Sequence, residues 1–178
     1  MDRRKLDELI NINRALSWWQ PDLFVSDILP LLPPELKIIS HPPQAAANFN
    51  CFIFALGLAD NQEIIKESQG FIYDTLVIKW LAENEIYLTE DPKAGDFIIY
   101  RDAANYPDSI THIGIYKGND TVTSKWAWGP VVEHKTLEVP QSYGDQVQYL
   151  KYISPSQVEL LYQKYKNFNL EPSPKRGF

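Results

Sequence analysis

"ITHIGIYKGND", residues 110–120, decides how the chain reads. It is dense in β-branched and aromatic residues and runs into "KGND", the mark of a strand entering a hairpin turn. Period-two alternation puts Ile110, His112, Gly114 and Tyr116 on one face and Thr111, Ile113, Ile115 and Lys117 on the other. A glycine beside a histidine on one face weakens a strand. It therefore asks for a close neighbour, such as a helix lying across the sheet.

Working outward, "DFIIY" (96–100), "TVTSKW" (121–126), "PVVEHKTLEV" (130–139) and "VQYLKYI" (147–153) share that composition and are joined by short links. Such links predict an antiparallel sheet. Helices come first. "RRKLDELININ" predicts a short one with Leu6, Ile10 and Ile12 inward. The proline-broken run "WWQPDLFVSDILPLLPPELKIISHPP" follows, and its Trp18, Trp19, Phe24, Leu29 and Leu32 are expected to pack over the main core.

"CFIFALGLADN" (51–61) predicts a helix apolar all round, hence buried, with Asn48 or Asn50 as N-cap. A second helix is expected over 73–84 with Leu76, Val77, Trp80 and Leu81 inward. "SPSQVELLYQKYKNF" predicts a last helix: Ser154 caps it, Pro155 opens it and Gln157 completes a capping box. Helices followed by strands give an α+β fold. The 178 residues are expected to form a single domain, with an extension at 1–44, a core at 45–153 and a helix and tail at 154–178.

Composition narrows the function. Hydrophobic residues make up 44% and charged residues 22%, as in ordinary globular proteins. A net charge of −6 with no basic face argues against a nucleic-acid partner, and the basic tail "PSPKRGF" is too short to be a binding arm. Neither a signal peptide nor a membrane span is legible. The expectation is a cytoplasmic protein without a membrane partner, with signal-free export left open. His41, His112 and His134 lack metal-ligand spacing, and no glycine-rich phosphate loop occurs. No metal and no cofactor are implied.

The single cysteine, Cys51, heads its helix directly behind "NFN". One reading is an ordinary buried residue. The other is a nucleophile at a helix start, with His112 aimed at it if that helix crosses the His112/Gly114 face.

The order "NC-F" at a helix start, "KAGDFIIY", then "HIGIYKGND" resembles the NlpC/P60 superfamily of papain-like cysteine peptidases, over roughly residues 46–126. The resemblance implies a papain-like core: a Cys-bearing helix packed on an antiparallel sheet, here with an N-terminal helical extension. It implies Cys51 as nucleophile and His112 as general base. The family's third polar residue falls on or near Ser124, where the family has His, Asn or Gln; His134 is a candidate substitute. "TSKWAWGPVVEH" is also similar to uncharacterised bacterial proteins with a related core, which implies no activity.

In the chemistry implied, the Cys51 N–H and the Asn50 or Asn48 side chain hold an oxyanion. Trp126 and Trp128 either line a substrate groove or simply pack. Lys125 faces either a ligand carboxylate or solvent. The expected function is a cysteine hydrolase or acyltransferase acting on an amide or peptide bond. The alternative is a binding module without turnover, which the departure at Ser124 favours. A lipid-type acyltransferase is a third reading, and would need an acyl groove or a membrane-surface helix.

Overall fold

The computed structural model describes residues 1–12, 16–44 and 48–170. Its strands are β1 (Lys37–Ser40), β2 (Leu88–Thr89), β3 (Phe97–Arg101), β4 (His112–Gly118), β5 (Thr121–Lys125), β6 (Val131–Lys135) and β7 (Gln146–Leu150). Its α-helices are α1 (Arg3–Ile12), α2 (Pro21–Leu23), α3 (Cys51–Ala55), α4 (Gln62–Glu67), α5 (Asp74–Ala82) and α6 (Pro155–Tyr165). The strands form one seven-stranded sheet in the order β1-β6-β5-β4-β3-β7-β2, each neighbouring pair antiparallel. The fold is α+β, as expected.

The β4–β5 hairpin follows from its turn. Gly118, Asn119 and Asp120 all take positive φ (87°, 49° and 59°). A two-residue loop in that conformation matches the right-handed twist of the flanking strands. At α6 the capping box is complete: Gln157 N donates to Ser154 Oγ (3.3 Å) and Ser154 N donates to Gln157 Oε1 (2.9 Å).

Other elements depart from expectation. The helix predicted over 51–61 stops at Ala55, because Gly57 turns left-handed (φ 73°) and Asn61 then caps the new helix α4. β1 arises in the proline-rich lead-in that reads as irregular, and Lys37 pairs there with Glu133 of β6 (3.1 Å). "PVVEHKTLEV" is a strand only to Lys135, where Glu138 N turns back to the Lys135 carbonyl.

The sheet is apolar on both faces. Phe97, Ile99, Ile113 and Leu150 pack against Phe52, Ile53, Leu76, Trp80, Val158 and Tyr162 of the helices. Ile98, Tyr100, Val122 and Val132 pack instead against Leu6, Trp18, Phe24, Ile28 and Leu36. The N-terminal segment therefore does not extend the main core; it builds a second core on the opposite face. Ile10, Leu29 and Leu32 join that second core at its margin. The Ile12 side chain and the tail from 171 onward lie outside the described residues. α1 is fixed to the 139–144 loop, where Arg3 Nε donates to the Val139 carbonyl (2.9 Å) and Ser142 Oγ donates to Asp7 (2.6 Å). Among the described residues no helix is long and apolar enough to cross a membrane.

Candidate active site

The loop that delivers Cys51 is locked before the helix begins. Asn50 N donates to the Gly70 carbonyl (3.0 Å). Gly70 takes φ +76°, and a Cβ there would lie 2.5 Å from the Asn48 carbonyl oxygen, so only glycine fits. Asn50, rather than Asn48, is the cap: its Oδ1 accepts from Ile53 N (3.2 Å), while its Nδ2 donates to the Ile72 carbonyl (2.7 Å). Asn48 Nδ2 donates to the Trp128 carbonyl (2.7 Å) and its Oδ1 accepts from Phe49 N (2.8 Å). Both side chains are buried and bound to backbone. They position the thiol, each with one N–H of its Nδ2 engaged by a backbone carbonyl.

Cys51 and His112 line one cleft of about 410 Å³, together with Tyr143, Asp74, Phe71 and Trp128. They reach it by a different route from the expected one. The α3 core includes Ile113 and Ile115, the residues of β4 on the face opposite His112 and Gly114. A Cβ on Gly114 would sit 2.8 Å from Val122 Cγ1 and 2.9 Å from Ser124 Cβ. Gly114 therefore makes room for the next strand, not for a helix. His112 reaches the cleft because it is the first residue of β4, at the end of the sheet where α3 also begins.

The thiol is buried, with backbone amides of Ile113, Cys51 and Phe52 and the Lys125 ammonium favouring its ionised form. Burial outweighs them and pushes the thiol up to about 11. His112 is 1% exposed and its ring stacks on Tyr143, with centroids 4.0 Å apart and planes 15° apart. Burial first, and then the neighbouring His134, hold it well below the ordinary histidine range. The resting pair is thus a protonated thiol and a neutral imidazole.

The described residues contain three buried side-chain polar atoms without a hydrogen-bond partner: His112 Nε2, the Tyr143 hydroxyl and Trp80 Nε1. Two of these three residues line the cleft. Burial, and then the proximity of Cys51 and Asp7, holds the Tyr143 hydroxyl protonated, well above the usual tyrosine range. Thr111 fixes Tyr143 over His112, its one hydroxyl proton shared between the carbonyls of Tyr100 (2.8 Å) and Tyr143. Across the cleft, Asp74 Oδ2 accepts from Ile110 N (2.9 Å) and holds the entry to β4.

Ser124 and His134 are brought together, but with each other. The Lys135 carbonyl can only accept, so His134 Nδ1 carries the proton (2.7 Å) and Nε2 accepts from Ser124 Oγ (2.8 Å). Trp126 Nε1 donates in turn to Ser124 Oγ (3.1 Å). Burial brings His134 down to about 4, which suits this neutral, fully bonded ring. His134 is buried rather than exposed at a strand end, and neither it nor Ser124 is hydrogen-bonded to His112. Trp126 is fully buried and stacks on Trp18; Trp128 is the tryptophan of the cleft. Lys125 does not face solvent, being 1% exposed.

Sequence reasoning misses Tyr143, which arrives on a loop after β6. It also misses Phe71 and Tyr73, which meet at 4.8 Å and, with Trp128 at 6.4 Å from Phe71, form an aromatic wall. A run of "FIY" between two helices was the available signal. Among the described residues no three His, Cys, Asp or Glu side chains cluster as metal ligands.

Residues 39–151, more than half the chain, match a domain family described as a domain of unknown function, DUF7689. The chain belongs to the DUF7689 family. The matched region of this DUF7689 protein includes Cys51, His112, Ser124, Lys125, His134 and Tyr143. No curated protein and no solved structure matches the chain.

Proposed function

We propose that the cleft is a thiol acyl-transfer site on a papain-like, NlpC/P60-type core, in which Cys51 attacks an amide or peptide carbonyl and His112 takes its proton. One observation carries this reading. The chain's only thiol lines the same cleft as a histidine whose buried Nε2 has no partner. Leaving a buried polar atom unpaired costs about 1–3 kcal/mol. A protein sustains that cost most readily where the atom has work to do.

The chemistry fits the resting charges. As the sulfur–carbon bond forms, the thiol proton passes to neutral His112 Nε2, so no buried ion pair need exist beforehand. The amides that face Sγ favour negative charge at that position. The imidazolium then gives its proton to the departing amine as the carbon–nitrogen bond breaks. Water, or a second nucleophile, releases the acyl group from sulfur. Stacking on Tyr143 orients the ring, in place of the third hydrogen-bonding residue, since Ser124 and His134 are committed to each other. The half-buried aromatic wall gives the acyl portion an apolar seat. A cytoplasmic peptide or amide is the substrate class this reading takes.

A binding module without turnover is the second reading, favoured by the burial that holds the thiol protonated. Incubation with p-nitrophenyl acetate, followed by intact mass and peptide mapping, separates the two. The enzyme reading expects one acetyl group on Cys51 that is then released, with none in Cys51→Ala and very slow loading in His112→Phe. A Cys51 that stays unmodified in the folded protein would leave the binding reading.

A further inference from the structure

We propose that Lys125 is a positioning residue whose ammonium is the counter-charge of the Cys51 thiolate, a role that rests on the acyl-transfer reading above. A lysine buried to 1% exposure normally has a carboxylate beside it. This one does not: all four ion pairs among the described residues lie elsewhere. Its Nζ donates to the Gly129 carbonyl (2.5 Å) and stands 5.2 Å over the ring of Phe49.

Those contacts bracket the thiol. Phe49 lies two residues before Cys51. Gly129 closes the turn whose Ala127 and Trp128 line the cleft. The β4–β5 register, Ile115 opposite Thr123, continues to set Lys125 opposite Ile113, whose amide faces Sγ. The charged and titratable groups around the thiol are then Lys125 from β5, His112 from β4, Tyr143 from the 139–144 loop and Asp74 from α5. Of these, Lys125 is the one whose charge favours the thiolate.

The coupling is mutual. Burial brings Lys125 down to about 7, and Cys51 is the group that draws it back up. Two groups that favour each other's charged form titrate as a pair. In the charge-separated state, where sulfur has given up its proton and the lysine has kept its own, each charge stabilises the other. His112, neutral at rest, serves to move the proton at the moment of attack.

The test is the rate of Cys51 alkylation by iodoacetamide against pH, in wild type, Lys125→Met and His112→Phe. The expected wild-type profile inflects at a lower pH than that of Lys125→Met, because the ammonium favours the thiolate. Lys125→Met should shift the inflection up by about one to three pH units, the shift an adjacent opposite charge produces. His112→Phe should leave it in place. Should Lys125→Met fold poorly, the reciprocal measurement decides: Lys125 Cε shifts followed by NMR should titrate lower in Cys51→Ala than in wild type. An inflection at the same pH in wild type and Lys125→Met, or a Lys125 titration unmoved in Cys51→Ala, would overturn the proposal. The acyl-transfer reading fails separately, by the absence of acyl–Cys51 in wild type, whatever the titration shows.

Discussion

His134 and His112 are both buried beside the same sheet, yet their surroundings differ in kind. Around His134 each donor meets an acceptor, from Trp126 through Ser124 and the ring to the Lys135 carbonyl. Around His112 the ring is held by aromatic contacts, stacked on Tyr143 and tilted against Tyr100, and Nε2 is left bare. A closed polar chain rigidifies a core. A bare nitrogen on a histidine that lines the thiol's cleft is a place where a proton can arrive. By this comparison, hydrogen-bond completeness, more than residue type, separates a structural histidine from a working one.

The comparison can be broken at the point where the two regions touch. Gly129 holds Lys125 through its carbonyl and faces Trp18 of the second core. A Cβ there would lie 2.1 Å from Trp18 Nε1, which is itself bonded to the Trp126 carbonyl (3.0 Å). Gly129→Ala is expected to destabilise the protein by about 3 kcal/mol in urea unfolding, at the upper end for forced overpacking. His134→Phe should cost about 2 kcal/mol, because the Ser124 hydroxyl and the Lys135 carbonyl lose their partner. An equal cost for His112→Phe would erase the distinction between the two sites.

The pH dependence sharpens it further. Both histidines are neutral in the folded state and held below the ordinary 6.5, His134 at about 4. Unfolded histidines protonate near 6.5, so on acidification below that value the unfolded chain binds more protons and stability falls. Each histidine contributes at most about 1.4 kcal/mol per pH unit. For His134 the loss runs from 6.5 down to about 4. His112→Phe should flatten the slope of urea stability between pH 6 and pH 5 by about one histidine's share.

The fold was largely legible, because each legible element carries its own local signal. Alternation marks β3 to β7, "KGND" sets the hairpin, and Ser154 with Gln157 sets α6. β1 gave no such signal, since four residues beside prolines are too few for a period. Which face of β4 meets α3 was not legible either, because Ile110 and Tyr116 on one face match Ile113 and Ile115 on the other in apolar character. The site was legible only as far as residue type allows. Cys51 and His112 line one cleft. The commitment of Ser124 to His134, the burial of Lys125 and the arrival of Tyr143 depend on packing between distant segments, which no local pattern encodes.

The most direct measurement compares wild type with His112→Phe in two readouts on one sample: the urea unfolding midpoint and the rate of Cys51 acetylation by p-nitrophenyl acetate. Phenylalanine keeps a ring to stack on Tyr143 and removes the bare nitrogen. The expected result is a midpoint unchanged or raised, with acetylation slowed about 100- to 10,000-fold, the usual share of a general base. A lowered midpoint with an unchanged rate would contradict the account and make His112, like His134, a structural histidine.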